Sequence, residues 1–280
     1  MSNGHATPWG LAGAPAFVEV AGVTLHARRD GPLPASGAPT LVYLHSLGTD
    51  IRIWDGVVAR LPHHSHVRID LRGHGLSDVP PADYSIPAMT DDVLGLLDLV
   101  GLDRVVVVGI SVGGQIALRA ALERPDVVVG VVALDTAGRI GERAAWDERI
   151  AAVRTHGVAA IADATVARWF GPSFRAREPA AVRGYRNLLL RTPPDGYAAT
   201  CAALRDEDLG LELATITPRA LVLCGSEDAA TPPGLVRALA ASLPDAKYVE
   251  IEDAAHLPCI DRPDVVARHI DAFVLEIAVG

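Results

Sequence analysis

Along this chain the apolar positions keep two rhythms. In Phe17-Val18-Glu19-Val20 and again in Val23-Thr24-Leu25-His26-Ala27 apolar and polar residues alternate, the period of a half-buried strand, and Ala21-Gly22 between them reads as a hairpin turn. Thr40 to Leu44, His66 to Asp70, Val105 to Val108, Val127 to Leu134, Pro218 to Cys224 and Lys247 to Ile251 are short, mostly apolar runs, several of them β-branched, as expected of buried strands. Between them the spacing turns helical. One helix is expected from near Pro87 to Val100, capped by Ser85 and stopped by Gly101; others cover Gln115 to Arg124, ended by Pro125, and Pro233 to Ser242. Strands alternating with helices at this interval predict an α/β fold with a mostly parallel central sheet and helices on both faces.

From Gly138 to about Leu213 the strand rhythm disappears. Helical stretches run over Glu142 to His156, Val158 to Phe170, Arg177 to Leu190 and Asp195 to Leu204, broken by Gly157, Gly171-Pro172 and Pro193-Pro194. The chain is therefore read as a core of residues 1–137 and 214–280 carrying an inserted all-helical cap, 138–213. The first fifteen residues, rich in Gly, Ala and Pro, are expected to form a flexible tail.

Charge sharpens the division. The formal net charge is −9, which argues against nucleic acid or an anionic membrane surface as partner. Yet the cap holds 11 of the 24 arginines against 10 acidic residues, so a positive site for an anionic ligand is best sought there. Half of the 280 residues are hydrophobic, enough for one large core. No apolar run approaches a membrane span, and the first sixteen residues lack the basic-then-apolar order of a signal peptide, so a cytoplasmic protein is expected. Cys201, Cys224 and Cys259 are scattered, without metal-ligand spacing, as in a chain with reduced thiols. The cluster His63, His64, His66 has no carboxylate or cysteine partner at metal spacing, and neither metal nor cofactor is expected.

The chemistry centres on Gly109-Ile110-Ser111-Val112-Gly113, where the Val105 to Val108 run meets a helical segment. Small residues at 109 and 113 allow a sharp strand-to-helix turn that lifts the Ser111 hydroxyl above the sheet edge and aims a helix N-terminus at it. A serine nucleophile needs a base and an orienting acid. Asp228 closes Gly225-Ser226-Glu227-Asp228 at the carboxyl end of one strand, with Asp135, at the end of an earlier strand, as the substitute. His256, in Glu252-Asp253-Ala254-Ala255-His256-Leu257-Pro258, is the histidine that follows both Ser111 and Asp228 at a strand-end loop.

Across about residues 17 to 276 the chain resembles the α/β-hydrolases, and among them the 3-oxoadipate enol-lactonases. The shared features are His45-Ser46-Leu47-Gly48-Thr49-Asp50 with Trp54-Asp55, Arg72-Gly73-His74-Gly75-Leu76-Ser77, Trp169-Phe170 and Gly196-Tyr197. Further on come Cys201-Ala202-Ala203-Leu204-Arg205-Asp206 with Asp208-Leu209, Gly225 with Asp228 and Thr231-Pro232-Pro233, and Ala254 to Pro258. The Ser-Leu-Gly-Thr-Asp loop and the Cys-Ala-Ala-Leu-Arg-Asp stretch are the discriminating ones. The chain departs in His45, more often Asn in that family, and in Val112, more often Met.

The resemblance implies the order Ser111, Asp228, His256 for a triad, backbone N–H groups of Leu47 and Val112 for the oxyanion hole, and ring opening of a small anionic lactone through an acyl-enzyme, with water as the second substrate. A free carboxylate on that substrate calls for a cation, expected from Arg205 or another cap arginine, with Trp146 or Trp169 shaping the wall. A carboxylesterase, a carbon–carbon bond hydrolase or a perhydrolase would use the same triad, and a ligand-binding receptor would keep the fold without turnover.

Overall fold

The structure is a computed structural model that describes residues 13–279. Its hairpin, β1 (Pro15–Val20) and β2 (Val23–Asp30), turns on Ala21-Gly22, both with positive φ. Pro15 already pairs with Arg28, so the expected tail is too long at its end; residues 1–12 lie outside the described residues. There follow β3 (Thr40–Leu44), a short α1 (Asp55–Val58), β4 (His66–Ile69), α2 (Ile86–Val100), β5 (Val105–Ile110), α3 (Val112–Glu123) and β6 (Val128–Leu134). The cap helices are α4 (Arg143–His156), α5 (Ala162–Trp169), α6 (Pro172–Arg177), α7 (Pro179–Leu190) and α8 (Pro194–Asp206). The chain closes with β7 (Arg219–Gly225), α9 (Pro233–Ser242), β8 (Ala246–Ile251), α10 (Pro258–Asp261) and α11 (Pro263–Val279).

The α2 boundaries follow from local chemistry. Ser85 accepts from the Ala88 N–H, and Gly101 at φ 71° supplies the left-handed residue that ends the helix. The cap is more finely divided than its spacing suggests. Val158–Ile161 is a 3-10 turn ahead of α5; the expected Arg177-to-Leu190 helix starts two residues later, as α7, and an additional short helix, α6, precedes it across Glu178. Pro172, Pro179 and Pro194 each open a helix, where the missing N–H costs nothing.

The eight strands form one sheet in the order β1-β2-β4-β3-β5-β6-β7-β8. Both pairings of β2 are antiparallel and all others parallel. Every residue of β3 and β5 is buried, so helices must cover both faces. Each fully buried valine of β5 contributes about 1.5–3 kcal/mol relative to exposure. The order reverses at β3, which has β4 on one side and β5 on the other. The carboxyl ends of β3 and β5 flank that crevice, where α/β sheets build their sites.

The cap docks across the crevice at one very close backbone contact. A Cβ at Gly73 would lie 2.8 Å from Gly196 Cα, and one at Gly196 would lie 2.3 Å from Gly73 O. Glycine at both positions lets α8 rest directly on the loop after β4. Gln115 in α3 anchors the cap's start, its amide donating to the carbonyls of Ala137 and Gly138 at 3.1 Å each. No helix among the described residues is long and apolar enough to cross a membrane.

Candidate active site

Ser111 sits between β5 and α3 at φ 57°, ψ −120°, a conformation unusual for a residue with a side chain. Neighbours hold it there. Its N–H donates to Leu134 O at 3.0 Å, and the Thr136 hydroxyl donates to Ser111 O at 2.8 Å. The flanking glycines serve close packing, since a Cβ at Gly109 would lie 2.0 Å from Gly113 O and one at Gly113 would lie 2.5 Å from Leu44 O. The result is a hydroxyl raised at the carboxyl edge of β5, at the head of α3.

Asp228, just past the end of β7, is 3% exposed and fully engaged. Its Oδ1 accepts from the N–H groups of Ala230 and Thr231 at 2.7 and 3.2 Å. Its Oδ2 accepts from the Thr231 hydroxyl at 2.5 Å and pairs with His256 Nδ1 at 2.9 Å. Burial alone would raise its pKa, but the imidazole and these donors together hold it down at about 2. A carboxylate on Nδ1 fixes the proton there and leaves Nε2 to act as base. Glu227 is exposed beside it and takes no part. The loop bearing His256 is fastened by Ala255 N–H to Asp261 Oδ2 at 2.8 Å and by Leu257 N–H to Trp169 O at 3.1 Å, the latter tying it to the cap.

Ser111 and His256 line one cavity of about 190 Å³ between sheet edge and cap. No hydrogen bond joins their side chains among the described residues; such contacts commonly tighten when substrate binds. Leu47 lines the same cavity. The N–H of Val112 is in the first turn of α3, where helix geometry provides no intrahelical acceptor, and neither it nor the Leu47 N–H donates in the described loop and turn hydrogen bonds.

Two buried histidines shape the Leu47 loop. His45 Nε2 accepts from the Leu71 N–H at 2.9 Å while its Nδ1 donates to Ser46 O at 2.8 Å. His74 Nε2 accepts from the Gly48 N–H at 3.0 Å and its Nδ1 donates to Arg72 O at 3.2 Å. Accepting from backbone amides requires both rings to be neutral, and burial lowers both pKa values, that of His74 to about 3. His74→Ala is expected to strand the buried Gly48 N–H, costing about 2 kcal/mol of stability and about tenfold in kcat through a loosened loop. Thermal melts and steady-state kinetics test this, and unchanged values in both would remove His74 from the loop's support.

From the cap, Trp146 and Trp169 line the cavity. Arg205 does not. Its guanidinium contacts Asp147 at 3.0 Å and Asp206 at 2.6 Å, with Asp83 at 4.0 Å. Leu204 faces the cavity, and one residue on, about 100° around α8, Arg205 is carried to the outer acidic side. The cavity cations are instead Arg149 and Arg168, neither ion-paired among the described residues. Arg149 lies over the Trp146 ring, 5.5 Å from its centroid, and its Nη1 reaches the Tyr197 hydroxyl at 3.4 Å. Arg149, three residues after Trp146, and Arg168, beside Trp169, fall under the expected alternative of another cap arginine, which their place beside the tryptophans would have narrowed.

Elsewhere, the histidine cluster has an acidic partner that linear spacing did not reveal. Asp271 of α11 meets His64 Nε2 at 2.8 Å and His63 Nε2 at 3.0 Å, outside the cavity lining. All three cysteines are buried and free.

The model of the Alpha/beta hydrolase family matches residues 41–269. The chain is 31% identical over 235 residues to 3-oxoadipate enol-lactonase 2 of Acinetobacter baylyi, spanning 84% of this chain and 88% of that protein. Among solved structures, an enol-lactonase from Burkholderia xenovorans superposes with a TM-score of 0.89 at 37% identity, over 92% of this chain and 99% of that one. A thermophilic esterase from Thermogutta terrifontis gives 0.88 at 27% identity, over 95% and 99%. With its sheet order, its serine turn between β5 and α3 and a match across most of its length, this chain belongs to the alpha/beta hydrolase family.

Proposed function

We propose that the protein is a serine hydrolase that opens the lactone ring of 3-oxoadipate enol-lactone, with Ser111 as nucleophile, His256 as base and Asp228 as orienting acid. His256 Nε2 takes the Ser111 proton as Oγ attacks the lactone carbonyl carbon, and the N–H groups of Leu47 and Val112 receive the oxyanion. Collapse breaks the ring C–O bond and expels an enolate oxygen, which takes the proton held by His256 and tautomerises to a ketone, leaving His256 neutral. Water deprotonated by His256 then attacks the acyl carbon and frees Ser111 Oγ, giving 3-oxoadipate. An enolate leaves more readily than an alkoxide, so proton donation by His256 matters less in the first half than in ordinary ester hydrolysis.

The observation that carries the choice of substrate is the pair of arginines without acid partners, Arg149 and Arg168, in the wall facing Ser111 and His256. An otherwise mostly apolar wall would reject a carboxylate, whereas unpaired guanidinium groups suit one. The two enol-lactonases above support the same reading. Ala at Arg149 or at Arg168 is expected to raise KM for the lactone acid about 10- to 100-fold, with little change for a neutral aryl ester. Arg205→Ala is expected to leave both constants near wild type. If both cavity variants keep the wild-type KM for the lactone, the carboxylate is held elsewhere. A carboxylesterase is the second reading, favoured by the likeness to the Thermogutta terrifontis esterase. A spectrophotometric comparison of the enol-lactone with aryl esters decides between them.

A further inference from the structure

Behind the triad acid lies a second carboxyl group that the mechanism does not use. Asp135, the residue after β6, is completely buried and held at φ 42°. Its N–H donates to Leu223 O at 2.9 Å and its Oδ1 accepts from the Gly225 N–H at 2.9 Å. Its Oδ2 is buried and finds no donor. Carboxyl oxygens of Asp135 and Asp228 and the Cys224 sulfur all lie within 4.8 Å of one another. The other titratable groups facing the pair are Cys224 on β7, Cys259 on α10, and His256 on the far side of Asp228. The Cys224 thiol is directed to the carbonyls of Gly225 and Thr231. No lysine or arginine is among the groups acting on either carboxyl.

Two carboxylates this close and this deeply buried do not both ionise. Charge settles where donors are most numerous, and Asp228 has four against one for Asp135. We propose that Asp135 is a neutral carboxylic acid whose Oδ2 proton is donated to Asp228, a further hydrogen bond that positions the triad acid beneath His256. This rests on the triad reading above. The expected division of charge agrees with the opposite displacements of the two groups, Asp135 far upward through burial and the neighbouring charge, Asp228 downward. Backed by this donor, Asp228 stays a weak base, so it orients the imidazole and supports its positive charge without taking its proton. Asp135 is thus a positioning residue, acting on the reaction only through Asp228.

Asp135→Asn keeps an oxygen for the Gly225 N–H and an N–H for Asp228, and it carries no charge. The expected result is a kcat/KM within about threefold of wild type and an unmoved acid limb of its pH profile. A second readout needs no turnover. A carboxyl whose folded pKa is raised costs stability once the pH exceeds its unfolded value, and the cost grows as pH rises toward the folded value. Only the wild type carries that cost, so the melting temperature of Asp135→Asn relative to wild type should climb by about 5 °C or more from pH 5 to pH 8. Asp135→Ala removes the donor and should lower kcat/KM about tenfold or more, a loss absent from the Asn variant. A melting difference that does not change with pH would overturn the proposal. So would an acid limb displaced downward by about one unit or more in Asp135→Asn, the mark of a lost negative charge, or equal losses of activity in the Asn and Ala variants. Should Ser111 prove not to be the nucleophile, the melting comparison still decides the protonation of Asp135; should the Ala variant not fold, the Asn measurements decide alone.

Discussion

Ser111→Ala is expected to lower kcat by at least about 10⁴-fold while leaving the fold intact. Removing the nucleophile of a serine–histidine–aspartate system leaves only the contribution of the oxyanion donors and of binding, so most of the acceleration goes at once. The fold should tolerate the change because the backbone at 111 is held by its N–H to Leu134 O and by the Thr136 hydroxyl on its carbonyl, neither of which involves the serine side chain. Alanine inherits the same φ of 57°, and with it a strain of about 1–3 kcal/mol that wild type already bears. The measurements are steady-state rates on the enol-lactone and an aryl ester, a thermal melt, and labelling by an active-site phosphonate. A pure preparation, free of host esterase, that turned over at wild-type rates would overturn the assignment.

Gly113→Ala is expected to be strongly damaging. The added carbon would lie 2.5 Å from Leu44 O, 2.7 Å from Leu44 C and 2.8 Å from His45 O, all backbone atoms of β3 and the loop that follows it. None of these is the movable end of a side chain, so α3 must draw back from β3. The expected cost is about 3 kcal/mol or more of stability, read as a fall of about 6–12 °C in Tm. The same retreat separates the Val112 N–H from the Leu47 loop, and a displacement near 1 Å should lower kcat about 10²-fold. Gly184→Ala in α7 is the contrast, because nothing lies within 4 Å of its new methyl group. That variant should gain a few tenths to about 1 kcal/mol from helix propensity. Equal melting temperatures for the two variants would show that the close approach at Gly113 carries no load.

These two effects share a cause. The serine turn is a junction where strand, helix and two loops come closer than side chains permit, and in the function proposed above the cap supplies selectivity over it. Arg149 and Trp146 lie one turn apart on α4, while Arg168 and Trp169 are neighbours on α5. On that proposal, substrate choice is set by cap residues apart from the core that positions Ser111, Asp228 and His256.

Much of the core was legible along the chain because its signals are local. Runs such as Val105 to Val108 have nowhere to go but the middle of a sheet, Ser85 and Gly101 mark the ends of their helix, and glycines around Ser111 announce a turn too tight for side chains. Periodicity also predicted strands ending shortly before Ser111, Asp228 and His256, and β5, β7 and β8 do end there. What required the folded chain was everything set by direction or by distance across the molecule. Arg205 and Arg149 are the same residue type in neighbouring helices, and only packing sends one to solvent-facing acids and the other to the cavity. Asp135 lies 93 residues before Asp228, and nothing in linear order says that adjacent strands bury both carboxyls side by side, where a single proton must serve the two.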